Sequence, residues 1–286
     1  MKKIYIFETR KLDYLQSYLD KANRLGFQPV VLDSDVLESD SRFREFKNVY
    51  QHLSCNSEEF EINCFARYFA IAATHLTDDT FILSDSDVYI TERLKTLKDN
   101  QSVNGVFVGS EGFHAGGSEK QISPHFSFWN KTLINDFIDY TIHAYKRNQQ
   151  DGFLTALYAA QQQLLGRTAI SDMTLLYLWV NNNKVPFINS NSTENELGID
   201  HNISAFYAAD AQFKGSMGRK QLKIATGDNI SCETTGGQRV PMVALHFQGG
   251  YKKILHDFYQ GKFLTFNFFS LYINVGRKVN SIIRKG

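Results

Sequence analysis

The feature that most constrains this chain is its opening, a strand, a helix and a second strand. Lys3–Phe7 is a short apolar run of strand length. Leu12, Leu15, Leu19 and Ala22 then recur at helical spacing until Gly26, and Pro29–Leu32 reads as another strand. Strands joined through a helix run the same way, which predicts an α/β fold built on a mostly parallel sheet with helices on its faces. Further along, Ser57 ahead of Glu58 and Glu59 marks a helix start, with an apolar helix continuing through Phe60 to His75. Thr80–Ser84 is a continuous apolar strand that stops at Asp85. Val106–Val108 is a further strand, and Ser110–Pro124, with Gly112, Gly116 and Gly117, reads as a loop. Helices are expected over Lys131–Arg147, over Gly152–Leu165 and from near Asp172. From Asn181 to Gly237 the composition turns to Asn, Ser, Thr and Gly with shorter strands, and Val243–Phe247 is the last clear strand.

Composition excludes several classes. With 286 residues, 43% of them hydrophobic and 21% charged, the chain can bury a sizeable core and is not disordered. Nineteen glycines and four prolines are too few for a fibrous or low-complexity protein. The 31 basic and 30 acidic residues nearly cancel, which argues against a dedicated nucleic-acid binder. Cys55, Cys64 and Cys232 form no CxxC pair, which disfavours a zinc ribbon or a secreted disulfide scaffold and suits a reducing compartment. The apolar run at the N-terminus is too short for a signal peptide. The most apolar stretch, Phe263–Val275, has thirteen residues interrupted by Thr, Asn and Ser, whereas a bilayer span needs about 20. A cytoplasmic protein, soluble or lying on a membrane surface, is therefore expected. The simplest division is one α/β domain over residues 1–250 and a tail over 251–286.

Two segments carry chemistry. In Phe81-Ile-Leu-Ser-Asp-Ser-Asp-Val-Tyr-Ile90, residues two apart in an extended chain point the same way, so Asp85 and Asp87 can aim at one point. At the carboxyl end of a central strand that point lies in the crevice where α/β sheets bind ligands. Two hard carboxylates there suit Mg2+ or Mn2+ holding a diphosphate, although Asp-Ser-Asp is also good turn chemistry. In Leu245-His-Phe-Gln-Gly-Gly-Tyr-Lys252, a histidine at a strand end is followed by glycines and a lysine. His246 can be a third metal ligand, Gly249 lets backbone approach a phosphate, and Lys252 supplies a point charge for its oxygens.

With Phe65-Ala-Arg67 added, the chain resembles the metal-dependent glycosyltransferases of the GT-A fold. It looks most like the family 8 branch, which includes glycogenin and bacterial lipo-oligosaccharide galactosyltransferases. The resemblance rests on Arg67, on Asp85-Ser-Asp87 eighteen residues later, and on His246-x-x-Gly249-x-x-Lys252. It implies a Rossmann-like, mostly parallel sheet, with Mn2+ or Mg2+ held by Asp85, Asp87 and His246. Gly249 and Lys252 would hold the nucleotide diphosphate, with Arg67 and Ser86 on the donor side. Glu8 and Thr9, at the end of the first strand, would contact base and ribose. Arg67 could instead simply snorkel from an apolar helix.

The pattern departs at Ile170-Ser-Asp-Met-Thr-Leu-Leu176. The family's acidic–Gln–acidic start is reduced here to Asp172, with Met173 and Thr174 following. Asp172 could be a general base for the acceptor hydroxyl or a helix N-cap, and the two are compatible. The resemblance favours retention of configuration. His125 and Ser127 are candidates for sugar hydroxyls or for structural roles, and Asp151, Asp200, His201 and Asp210 lie in acceptor-side segments.

The tail from Tyr251 holds seven basic residues, one acid and eight aromatics. That mixture suits interfacial binding to anionic lipid, as in the bacterial members of the resemblance, or a helix packing its rings on the domain. The implied partners are a nucleotide-sugar donor, taken as UDP-linked, and a glycan or lipid-linked acceptor of bacterial surface polysaccharide or lipopolysaccharide. Two rivals are a sugar-nucleotide nucleotidyltransferase, disfavoured because Glu8-Thr-Arg-Lys-Leu12 lacks glycines, and a non-catalytic relative, disfavoured because all three metal ligands are kept.

Overall fold

The computed structural model describes residues 2–74, 76, 80–97, 102–108, 120–191, 197–204, 212–216, 219–225, 228–263 and 266. The chain divides into two compact units. Unit 1 comprises Met1–Thr9, Gln28–Asp85 and Asp99–Asn189, and unit 2 comprises Arg10–Phe27, Ser86–Lys98 and Ser190–Gly286.

Unit 1 contains β1 (Lys3–Phe7), β2 (Gln28–Leu32), α2 (Ser41–Val49), α3 (Glu58–Ala73), β3 (Phe81–Ser84), β5 (Val103–Val108), β6 (Gln121–Ser123), β7 (Phe126–Trp129), α4 (Lys131–Asp151), α5 (Phe153–Leu165), α6 (Asp172–Asn182) and β8 (Phe187–Asn189). Its main sheet has the order β2-β1-β3-β7, parallel except for β7. A smaller sheet, β6-β5-β8, pairs β5 with β8 in parallel and with β6 antiparallel. The expected mixed α/β architecture is present.

Every residue of β3 is buried, as suits a strand covered on both faces. Helix α3 packs against β1 and β2 and also against α2, α4 and α6, so it is apolar nearly all round. Its Phe65 and Phe69 rings meet Phe46 of α2, and Tyr68 meets Trp129 and Phe137. Ser57 caps α3 by accepting the Phe60 N–H, and Glu58, Glu59 and Glu61 occupy the first turn, where the helix dipole favours acids.

Three expectations shift, and one helix is new. Helix α2 was not evident, because only Phe43 and Phe46 of its nine residues are buried. Helix α4 runs through to Asp151 before Gly152 breaks it at φ +70°, and β5 begins at Val103. Strand β6 lies within the expected loop, whose residues 109–119 fall outside the described residues.

Unit 2 contains α1 (Leu15–Arg24), β4 (Val88–Ile90), β9 (Gly215–Ser216), β10 (Arg219–Lys220), β11 (Leu222–Ile224), β12 (Ile230–Glu233), β13 (Arg239–Pro241), β14 (Ala244–His246) and α7 (Leu255–Tyr259). Strands β4 and β14 pair antiparallel with Val88 opposite His246, and β11-β12-β13 form an antiparallel meander. Gly198 is demanded here: at φ +60° a Cβ would lie 2.0 Å from the Pro241 carbonyl oxygen. The core includes Tyr89, Leu245, Phe247, Tyr251, Leu255, Phe258 and Phe266. The described part of the expected tail is thus packed, as one of its two readings required. Residues 264, 265 and 267–286, with Arg277, Lys278, Arg284 and Lys285, lie outside the described residues.

Candidate functional site

The chain passes from unit 1 to unit 2 between Asp85 and Ser86, so the Asp-Ser-Asp segment contributes to both. In unit 1, Asp85 follows β3, where its backbone N–H donates to the His125 carbonyl. Its carboxylate accepts from Arg67 Nη1 at 2.5 Å, and Arg67 Nη2 donates to Asp172. The Tyr68 hydroxyl donates to the same Asp172 oxygen at 3.0 Å. Arg67 is therefore a bridge between two carboxylates. Burial alone would weaken its charge, but Asp172 and then Tyr68 and Asp85 outweigh that and push its pKa up.

Asp172 is the first residue of α6, and its N-cap is Ser171. The capping expectation is thus corrected by one residue, because Asp172 already has helical geometry and turns its carboxylate to Arg67. Only 2% of it is exposed. His125 and Ser127 are also interior. Ser127 Oγ donates to the Pro124 carbonyl and accepts from Trp129 Nε1, while His125 Nδ1 lies 2.9 Å from Ser123 Oγ. In this arrangement their polar atoms serve the unit 1 core, at β7 and the turn before it. Glu8 is buried with its N–H on the Leu32 carbonyl, and Thr9 is exposed.

In unit 2, Asp87 is 4% exposed and lies between His246 and Lys252. Its Oδ1 is 3.2 Å from His246 Nε2, and its Oδ2 accepts from Lys252 Nζ at 2.8 Å. Pairing of β4 with β14 creates this meeting, and the Phe247 N–H secures it on the Asp87 carbonyl at 2.9 Å. Burial would raise the Asp87 pKa, but His246 and then Lys252 outweigh it and hold the carboxyl well below the usual range. Lys252 gains in turn: burial lowers its pKa, and Asp87 more than restores it. Gly249 opens a short 3-10 helix, Gly249–Ile254, at φ +60°, and a Cβ there would meet nothing within 4 Å. Its glycine thus answers to backbone conformation.

His246 fits a metal. Its Nδ1 lies 2.8 Å from the His201 carbonyl, which can only accept, so Nδ1 carries a proton. In the neutral ring Nε2 then presents a lone pair to a carboxylate oxygen. Two acceptors so close require a proton or a cation, and imidazole with carboxylate suits a divalent ion. Within unit 2, Asp87 and His246 can each offer one ligand atom to such an ion.

The sequence did not single out Tyr14, Tyr68 or Lys220. Tyr14, the N-cap residue of α1, has its hydroxyl buried, and burial and then Asp87 raise its pKa. Asp200 and His201 are deeply buried behind His246, and Asp151 is paired with Arg147 on the surface of α4. Asp210 lies outside the described residues.

No family model and no curated protein sequence matches this chain. Solved glycosyltransferase structures do align with it at low identity. A glycosyltransferase involved in glycosylation of the major capsid of PBCV-1 is 12% identical, with a TM-score of 0.38, over 90% of this chain and 98% of that one. The galactosyltransferase LgtC, solved with donor and acceptor sugar analogues, is 14% identical, with a TM-score of 0.38, over 66% and 74% of the two chains. The glycosyltransferase GlyE of Streptococcus pneumoniae TIGR4 is 13% identical, with a TM-score of 0.29, over 67% and 46%. At such values the functional reading stands on the chain's own residues.

Proposed function

We propose that this protein is a metal-dependent glycosyltransferase of the GT-A type. It would move a sugar from a nucleotide diphosphate, UDP being the first choice, to a glycan or lipid-linked acceptor, with retention of configuration. The setting proposed is assembly of bacterial surface polysaccharide or lipopolysaccharide at a membrane face. The observation that carries this reading is the junction of Asp87 with His246 and Lys252 in unit 2. There a lone pair, a carboxylate and a lysine converge, the chemistry needed for a cation and a phosphate together.

Asp85, Asp87 and His246 are the proposed ligands of Mn2+ or Mg2+. A bound divalent cation would offset charge on the departing diphosphate. Lys252 would transfer from Asp87 to a phosphate oxygen, as a flexible ammonium can. Arg67 would face the donor with its guanidinium held by Asp172, and Ser86 and Gly249 would line the diphosphate. Asp172, with its carboxylate already engaged by Arg67 and Tyr68, acts in this reading as the positioning partner of Arg67.

A thermal-shift screen of UDP-, GDP-, CMP- and dTDP-sugars, each with Mn2+ or with EDTA, tests the reading. A ligand that binds only the folded state raises the melting temperature by mass action. A rise with a UDP-sugar and Mn2+ together is expected. No rise with any nucleotide sugar would contradict the proposal.

A further inference from the structure

Behind His246, unit 2 buries a complete ion pair. Lys220 Nζ lies 3.1 Å from Asp200 Oδ2, and neither side chain is exposed at all. Taking two charges out of water costs more than their attraction returns unless the geometry is good and the remaining lone pairs are used. Here they are used. The second Asp200 oxygen, Oδ1, accepts the backbone N–H of His246 at 2.6 Å. The Asp200 N–H donates to the Ala244 carbonyl at 3.2 Å, and the Ile203 N–H donates to the His246 carbonyl at 2.8 Å. The segment from Asp200 to Ile203 is thereby fastened along β14.

Its placement brings the His201 carbonyl to His246 Nδ1. Lys220 is tied to the same segment through its backbone N–H on the Ile203 carbonyl at 2.9 Å, and its ammonium sits 4.9 Å from the centre of the Phe213 ring.

We propose that Asp200 and Lys220 are positioning residues for His246. Lys220 occupies one Asp200 oxygen in the interior, and the other pins the His246 backbone and the adjoining segment. The His201 carbonyl then fixes the Nδ1–H tautomer and directs the Nε2 lone pair at Asp87. The histidine is set as a ligand before any cation arrives. Outer partners of this kind typically change metal affinity by about 10–100-fold. The functional half of the inference rests on the metal reading above; the tautomer half does not.

Two double variants separate positioning from mere packing. Asp200→Asn/Lys220→Met removes both charges yet keeps an oxygen to accept the His246 N–H. Asp200→Leu/Lys220→Met removes the acceptor as well. Nitrogen-15 NMR of the histidine rings in metal-free protein is expected to show His246 in the Nδ1–H form in the native protein and the first variant. A tautomer mixture is expected in the second. Mn2+ affinity, titrated by EPR, should stay near native in the first and fall at least about tenfold in the second. If the second variant does not fold, Asp200→Thr/Lys220→Met, with a hydroxyl too short to reach that N–H, replaces it.

A native His246 tautomer in the acceptor-free variant would overturn the inference, however much stability that variant loses. Loss of the tautomer with no Mn2+ binding even in the native protein would uphold positioning and reject the metal reading instead.

Discussion

Arg67 and Asp172 show how a side chain far away in sequence decides what a residue can do. Arg67 sits on an apolar helix, 105 positions from the carboxylate that holds it. The snorkelling alternative would leave the guanidinium in water. Instead it is largely buried between Asp172 and Asp85. Removing one member of a buried pair leaves the other charge uncompensated, at a cost of about 3–5 kcal/mol. Asp172→Ala should therefore lower unfolding free energy by an amount of that order and weaken donor binding with it. A general base with no structural duty would behave differently, losing ~10²–10⁴-fold in turnover at native stability. Urea unfolding of Asp172→Ala separates the two, and native stability would dismiss the anchoring role.

At the scale of elements, α3 delivers Arg67, and Ser57 starts α3. Ser57→Ala deletes the oxygen that receives the Phe60 N–H, which should cost about 1 kcal/mol. Because α3 packs on both strands and helices, that loss should appear in global denaturant unfolding; an unchanged midpoint would contradict it. This helix start was legible in the sequence because Ser-Glu-Glu ahead of an apolar run is a local signal. So were β1 and β3, whose residues are apolar throughout or nearly so. The Asp-x-Asp and His-x-x-Gly-x-x-Lys segments were legible for the same reason, since their spacing is local.

Helix α2 was not legible, since two buried phenylalanines among polar residues make a weak stripe. Nor was the buried pair of Lys220 and Asp200. It depends on a two-residue strand, β10, and on a segment beside β14, both too short to carry a period. For His125 and Ser127 the sequence left a structural role open beside a sugar contact, and could not choose between them. A histidine and a serine after a glycine-bearing loop look available until the packing of β7 takes up their polar atoms.

For the whole molecule, near neutrality conceals an uneven distribution of charge. Among residues 267–286 the sequence has four basic residues and no acid. At about 1 kcal/mol per basic residue near an anionic surface, these could contribute ~4 kcal/mol to membrane docking. No described helix is long and apolar enough to cross a bilayer. Phe263 packs against Phe258, and Phe266 lies in the unit 2 core, so truncation must begin after Phe266. Removing residues 267–286 should release the protein from anionic vesicles and leave nucleotide binding intact. Full-length protein that fails to sediment with such vesicles at low salt would end the membrane proposal.

The central claim is that Asp85, Asp87 and His246 join a divalent cation to a nucleotide diphosphate. Isothermal titration of the native protein with UDP, once in Mn2+ and once in EDTA, tests it most directly, with Asp87→Asn as the control. The account predicts that Mn2+ tightens UDP binding at least about tenfold, ~1.4 kcal/mol, and that Asp87→Asn abolishes this gain. Equal UDP affinity with and without metal in the native protein would contradict it.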